Sequence, residues 1–339
     1  MDNPFPRNDL KIAVIGGGTG SFTLLSALKE HSHSIAAIVN MADDGGSTGV
    51  LRDELGTLPP GDVRQCLVAL SDSPKVRELF NYRFEEGTFQ GHAFGNLLLS
   101  ALEKMTGSFN EAVETASKIL RVNGVVIPAT LDNVRLKMEW PDAKVVLTGE
   151  GMIDAESFRH DAREAILSLA PKATVNPTAA MAIKQADLIV IAPGDLYTSL
   201  GPLLIIDGID EAFLQTKAKI VYVSNLVTKK GQTENFTVSD HASEIERFIG
   251  HPVLNYVLYN KQTPDKKLAT RYKEEGAFLV EADTEVLGAK HYEAVCGKFL
   301  GAIADGHKSD VLSVPRSLIR HDSKAVARAI IDLYEHASE

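Results

Sequence analysis

KIAVIGGGTGSFTLLSALKEHSHSIAAIVNM, residues 11–41, is the stretch that decides the fold. It opens on a short run of β-branched and small apolar residues, breaks at three glycines, then sets Leu24, Leu25 and Leu28 on one helix face. A second apolar run, SIAAIV, follows directly. Strand, glycine turn, helix and strand make a βαβ unit, whose crossover is expected to be right-handed. Continuous apolar runs mark parallel strands covered on both faces, and the signature returns in DLIVIAP (187–193) and KIVYVSNL (219–226). One sheet therefore draws on both halves of the chain.

The expected fold class is α/β: a Rossmann-like, mostly parallel sheet with helices on both faces, in one domain over residues 1–339. Between the halves, residues 59–84, 92–105 and 109–120 read as helical. VVIPAT, VRLKMEWPD and KVVLTGEGM read as short strands joined by turn residues, which predicts a small β-rich insertion at residues 124–153. SKAVARAIIDLYEHA reads as a closing helix, and no internal repeat or low-complexity linker interrupts the chain.

Composition narrows the function classes. With 339 residues, 44% hydrophobic and 24% charged, the chain can bury a sizeable core. A net charge of -10 argues against nucleic acid or an anionic membrane as partner, because phosphate backbones are held by clustered Lys and Arg. The two cysteines, Cys66 and Cys296, show no metal or redox spacing, and buried thiols in a reducing cytoplasm are expected. The start lacks the pattern of a secretory signal, and no apolar run is long enough to span a bilayer, so no membrane insertion is expected.

Five short stretches carry the chemistry. GGGTGS places Gly16, Gly17, Gly18, Thr19 and Gly20 where a strand feeds a helix, so backbone can approach a phosphate at the helix start. Ser21 stands where GxGxxG requires its third glycine, and a tight turn without ligand is the competing reading. At the end of the second strand, NMADDGGSTG sets Asp43 and Asp44 against Gly45, Gly46, Ser47 and Thr48. A dehydrogenase would use Asp43 for a ribose, which leaves DGGSTG unexplained; a solvated turn is the plainer alternative. Two carboxylates with hydroxyls nearby suit Mg²⁺ beside a phosphate, although neighbours in an extended chain point apart.

LGTLPPGDVRQCL (55–67) offers Asp62 as an N-cap or a ligand acid, and Arg64, with Arg52, as a fork for phosphate oxygens. GHAFGNLLL (91–99) sets His92 and Asn96 four apart, on one face if the helix has begun; for His92 a packed or capping role outweighs a general base. APGDLYTSL (192–200) brings Gly194, Tyr197, Thr198 and Ser199 to another strand end, while Asp195 would discourage a bare anion unless it merely caps a helix.

Taken in order, IGGGTGS, ADDGGSTG, LPPGDVRQCL, GHAFGNLLL, GVVIPAT, ADLIVIAPGDLYTSL and SNLVTKKGQTENFTVSDH resemble the YvcK-type gluconeogenesis-factor family (CofD-like, UPF0052), related to 2-phospho-L-lactate transferase. The resemblance implies a cytoplasmic regulator that binds a nucleotide sugar such as UDP-N-acetylglucosamine. It also implies a role in cell shape and cell-wall synthesis on gluconeogenic carbon, through an unidentified protein partner, and leaves a homo-oligomer open. No tightly bound organic cofactor is expected. The related transferase moves a phospholactyl group from a guanylylated donor to a deazaflavin alcohol with Mg²⁺, and its acidic motifs resemble the segments around Asp43, Asp44 and Asp62. In that alternative Asp44 and Asp62 are the catalytic and metal-holding acids. The chain departs from the family's usual GPGS at residues 192–195, and at Leu203 and Val50, where asparagine and a basic residue are usual.

Overall fold

The computed structural model describes residues 5, 9–155, 158–274, 276–301 and 319–336. Strands β1 (Ile12–Gly16), β2 (Ile35–Val39) and β3 (Val125–Pro128) lie side by side. Strands β4 (Arg135–Trp140), β5 (Val145–Thr148) and β6 (Ile166–Ala170) form a separate antiparallel sheet in the order β5-β4-β6. The chain then returns to the free flank of β1 with β7 (Leu188–Ile191), followed outward by β8 (Lys219–Val223), β9 (Tyr256–Asn260) and β10 (Glu293–Gly297). The seven-stranded sheet reads β10-β9-β8-β7-β1-β2-β3 and is parallel throughout. Its strand order reverses between β1 and β7, which is where a doubly wound sheet opens a crevice at its carboxyl edge.

Alternation along the strands assigns the two faces. Ile12 and Val14 of β1 pack with Leu24, Leu25 and Leu28 of α1 (Gly18–Leu28). Past α2 (Gly46–Leu55), that layer is completed by α3 (Gly61–Leu70), α4 (Pro74–Asn81), α5 (Phe94–Thr106), α6 (Phe109–Leu120) and the helix Ser323–His336. Ala13 and Ile15 face the other way, toward Leu136, Met138 and Trp140 of the small sheet and the helix Val238–Ile249. Burying such a Leu or Ile side chain contributes about 1.5–3 kcal/mol, so the expected leucine face of α1 is what seats the glycine turn.

Three expectations change. Val125–Pro128 pairs with β2 in the main sheet, so the separate sheet begins at Arg135 and ends at Ala170, beyond the 124–153 read from sequence. An apolar strand looks the same in either sheet, and only its hydrogen-bond partner separates them. The helical stretch 59–84 breaks at Ser71, whose extended backbone (φ -69°, ψ 142°) is fixed by its hydroxyl donating to Leu120 O at 2.6 Å; Pro74 then opens α4. Of the thiols, Cys66 is buried and Cys296 is exposed. Among the described residues no helix is long and apolar enough to cross a membrane.

Candidate functional site

The crevice is built where β1, β2 and β7 end. Gly18 opens α1 with φ +64°, a conformation that costs glycine little, and the N-cap Gly17 makes no side-chain cap. A Cβ on Gly20 would stand 1.8 Å from the carbonyl oxygen of Pro193, so glycine is what lets the β1 loop touch the β7 loop. Ser21 fills the space beside Gly16, and its buried hydroxyl has no partner. α2 also starts on glycine: Gly45 is an extended N-cap with no side-chain cap, and Gly46 follows at φ +45°. Neither α1 nor α2 carries an acidic residue in its first turn. By contrast α6 is capped by Ser108 and the helix Val238–Ile249 by Thr237 and Asp240. Without an N-cap side chain each start keeps first-turn N–H groups and the positive end of its dipole for an anion, apart from the Gly18 N–H, which Asp62 takes.

Four carboxyls lie beside these starts. Asp43 accepts the Gly45 N–H at 2.9 Å, and burial, opposed by that bond and by the Thr48 hydroxyl, pushes its pKa up. Asp62 accepts the Gly18 N–H; burial and then the neighbouring Asp43 push its pKa up to about 7. It lies in the first turn of α3, two residues past the N-cap Pro60, and so is not the N-cap itself. Glu150, which opens α7 (Glu150–Ala155), is pushed up to about 9 by burial and by Asp43, Asp154, Asp62 and Asp44. Asp44 turns the other way, taking the Gly151 N–H at 2.8 Å and Arg135 at 3.3 Å. The acid beside Asp62 is therefore Asp43, not the Asp44 expected from sequence. Among the described residues no three His, Cys, Asp or Glu side chains converge on a metal position. The Asp43 and Asp62 pair does suit Mg²⁺, which is commonly held by one or two carboxylates plus phosphate oxygens and water.

Ser47 and His92 share a hydrogen bond of 2.8 Å between Oγ and Nδ1, and Asn96 Nδ2 stands 3.5 Å from the same Oγ. His92 precedes α5 and so shares no helix face with Asn96; the two meet instead on Ser47. Arg64 is buried, with Nε donating to Asn96 at 2.9 Å and Nη1 donating to Asn81. Arg52 is buried too, tying α2 to Asn133 and to Val134 O. Both guanidiniums thus brace the loops rather than reaching out as phosphate forks.

The β7 loop differs most from expectation. Tyr197 is fully buried among Phe158, Phe236 and Phe248, with its hydroxyl donating to Glu244 at 2.9 Å, so it belongs to the core and not to the crevice. Thr198 is also buried and donates toward Asp154 at 3.4 Å, while Ser199 is half-buried. Gly194 is held on both backbone groups by Asn225, at 3.2 and 2.8 Å. Asp195 occupies the N-cap position but makes no side-chain cap; it pairs with Lys229 at 3.0 Å, which offsets its charge. Lys229 also pairs with Asp154. Arg135, Glu150, Asp154, Asn225 and Lys229 were not singled out from the sequence, although Asn225 and Lys229 sit inside a quoted motif.

Fold and crevice together define a doubly wound α/β protein with glycine-initiated helices at its switch point. The chain belongs to the CofD family: residues 12–300 match the family described as 2-phospho-L-lactate transferase CofD. It is similar to the Gluconeogenesis factor of Bacillus subtilis, 38% identical over 325 residues that cover 95% of this chain and 98% of that one. The Putative gluconeogenesis factor of Clostridium acetobutylicum is 40% identical over 324 residues, covering 95% of this chain and 69% of its own. A UPF0052-family crystal structure from Bacillus halodurans superposes with a TM-score of 0.85 at 37% identity, over 95% of this chain and 99% of that one.

Proposed function

We propose that the protein is a gluconeogenesis factor that acts by binding a nucleotide sugar, UDP-N-acetylglucosamine, in the cytoplasm. Through a protein partner it would tune cell shape and cell-wall synthesis during gluconeogenic growth. The observation that carries the reading is the pair of glycine-initiated, uncapped helix starts of α1 and α2 at one crevice, with acids set beside them. The helix starts accept a diphosphate. Asp43 and Asp62 accept sugar hydroxyls, or hold Mg²⁺ between themselves and the phosphates. The names of the relatives support the regulatory role. A sensor requires that ligand bias two conformations unequally, since equal affinity shifts nothing.

Thermal shift with UDP-N-acetylglucosamine, GDP and NAD, each with and without Mg²⁺, tests the ligand. A ligand that binds only the folded state stabilises it by about 2.7 kcal/mol at a hundredfold excess over Kd. A shift specific to the uridine sugar is expected, and none with that sugar would overturn the reading.

A second reading, a Mg²⁺-dependent transferase, is favoured by the Asp43 and Asp62 pair and by the family match. In that reading Asp62 would accept the proton of an attacking hydroxyl. When bound, Mg²⁺ would supply charge neutralisation at the phosphates. Product formation from a guanylylated donor, lost in Asp62→Asn, would establish this reading; no product over a broad donor panel would remove it.

A further inference from the structure

We propose that α7 is a hinged roof over the crevice, held shut by a latch between Asp154 and Lys229, and that release of this latch admits ligand. The inference rests on the crevice being the ligand site. α7 comes from the small sheet, yet every polar tie it makes is to a loop at the carboxyl edge of the large one. Its Gly151 N–H is bound by Asp44 from the loop after β2, at 2.8 Å. Asp154 is held by Lys229 from the loop after β8 and approached by Thr198 from the loop after β7. Gln232 Nε2 donates to Ile153 O at 2.9 Å. The helix therefore bridges the two halves of the sheet across the point where its order reverses.

The ties are polar, and little else fixes the element. α7 has six residues, too few to be stable alone, and Ile153 is its one buried side chain. The outer side is solvent: Gly151 is exposed and Met152 is 58% exposed. Gly149, at φ +98°, sits at the junction with β5 and gives the segment a pivot. Few apolar contacts and a few exchangeable polar ties characterise segments that open locally below the global unfolding free energy. The inner side carries Glu150, whose Oε2 would stand 3.3 Å from a Cβ on Gly45, against the start of α2. Glu150 thus narrows the approach to that helix start beside Gly45, while Gly46 next to it is exposed, so lifting α7 would widen the way in. Lys229 sets the cost: it is shared between Asp154 on the roof and Asp195 on the rim, at 3.0 Å from the latter. On opening it keeps one carboxylate partner and loses the other.

Hydrogen exchange on the full chain without ligand tests the latch, using Asp154→Asn and Lys229→Met. Amide exchange over residues 149–155 is expected to rise at least tenfold in both variants, with β1, β2 and β7 unchanged as the control for folding. Unchanged exchange over 149–155 in the near-isosteric Asp154→Asn would overturn the proposal. Stopped-flow mixing with UDP-N-acetylglucosamine then reads the gate: association and dissociation rates are both expected to rise several-fold in the variants. Faster exchange with unaltered rates would overturn the gating. If wild type binds no nucleotide sugar while the exchange result holds, the ligand assignment fails and the latch stands.

Discussion

The carboxyl of Asp62 sits against the α-carbon of Gly17: a Cβ placed there would lie 2.2 Å from Asp62 Oδ2. The contact joins the start of α3 to the start of α1, and it makes the second glycine of the loop a packing requirement as well as an opening for phosphate. Gly20 makes a harder contact, 1.8 Å to the Pro193 carbonyl, where backbone and not a side-chain end must yield. Gly17→Ala is expected to cost about 1–3 kcal/mol by overpacking, and Gly20→Ala more. Urea unfolding of both variants checks the order; Gly20→Ala proving the milder would refute it.

Asp62 and Glu150 fix how stability responds to pH. Their folded pKa values, about 7 and about 9, lie above the ordinary 3.8 and 4.5, so the folded state binds more protons than the unfolded one between those limits. Stability from these groups is present below pH 4 and falls as pH rises, through about 7 for Asp62 and about 9 for Glu150. The melting temperature is expected to be lower at pH 8.5 than at pH 6, with a shallower fall in Asp62→Asn. Adding Mg²⁺ at pH 8.5 is expected to recover part of the loss if the cation binds Asp43 and Asp62. A rising melting temperature over that range would contradict the assignment.

Asn96 is the hinge of a buried polar relay, accepting from Arg64 Nε at 2.9 Å while its amide nitrogen faces Ser47. Asn96→Ala leaves that guanidinium N–H buried without its acceptor, a loss of about 1–3 kcal/mol. Because Ser47 lies in the first turn of α2, affinity for the nucleotide sugar is expected to fall as well. Calorimetric titration beside denaturant unfolding separates the two effects, and unchanged affinity would confine Asn96 to a structural role.

Tyr197 makes the opposite case. Tyr197→Phe removes one hydrogen bond to Glu244, which keeps Arg247 at 2.8 and 2.6 Å. The expected outcome is a loss of about 0.5–1.5 kcal/mol in stability with ligand affinity unchanged. A large loss of affinity would return Tyr197 to the site.

What the sequence made legible follows from how local each signal is. The βαβ unit, the closing helix and the glycine-initiated start of α1 are written in contiguous residues, where hydrophobic period and glycine placement decide the outcome, whereas the helix Gly46–Leu55 reads from sequence only as a glycine-rich loop. The divergence of Asp43 and Asp44 was also readable, because neighbours in extended chain point apart. Partnerships across the chain were not. Arg135 with Asp44, Lys229 with Asp154 and Asn225 with Gly194 depend on the sheet order bringing distant loops to one edge. Tyr197 was misplaced for the same reason: a tyrosine after a strand reads equally as a ligand donor or as a core ring with one tethered hydroxyl.

The pairing of β1 with β7, from Ile12 against Leu188 to Ile15 against Ile191, sets a timetable for the molecule. A chain emerging from the ribosome has both glycine loops long before the strand that closes the crevice has been made. Contacts so distant in sequence form slowly, since the intervening loop must first be ordered. A ligand at the α1 and α2 starts, whose β1 loop is backed by Pro193 of the β7 loop, would thus be expected to stabilise only chains already made past β7. Closure of the crevice is in that sense an event in the chain's own synthesis, reached only when the strand Leu188–Ile191 has been made.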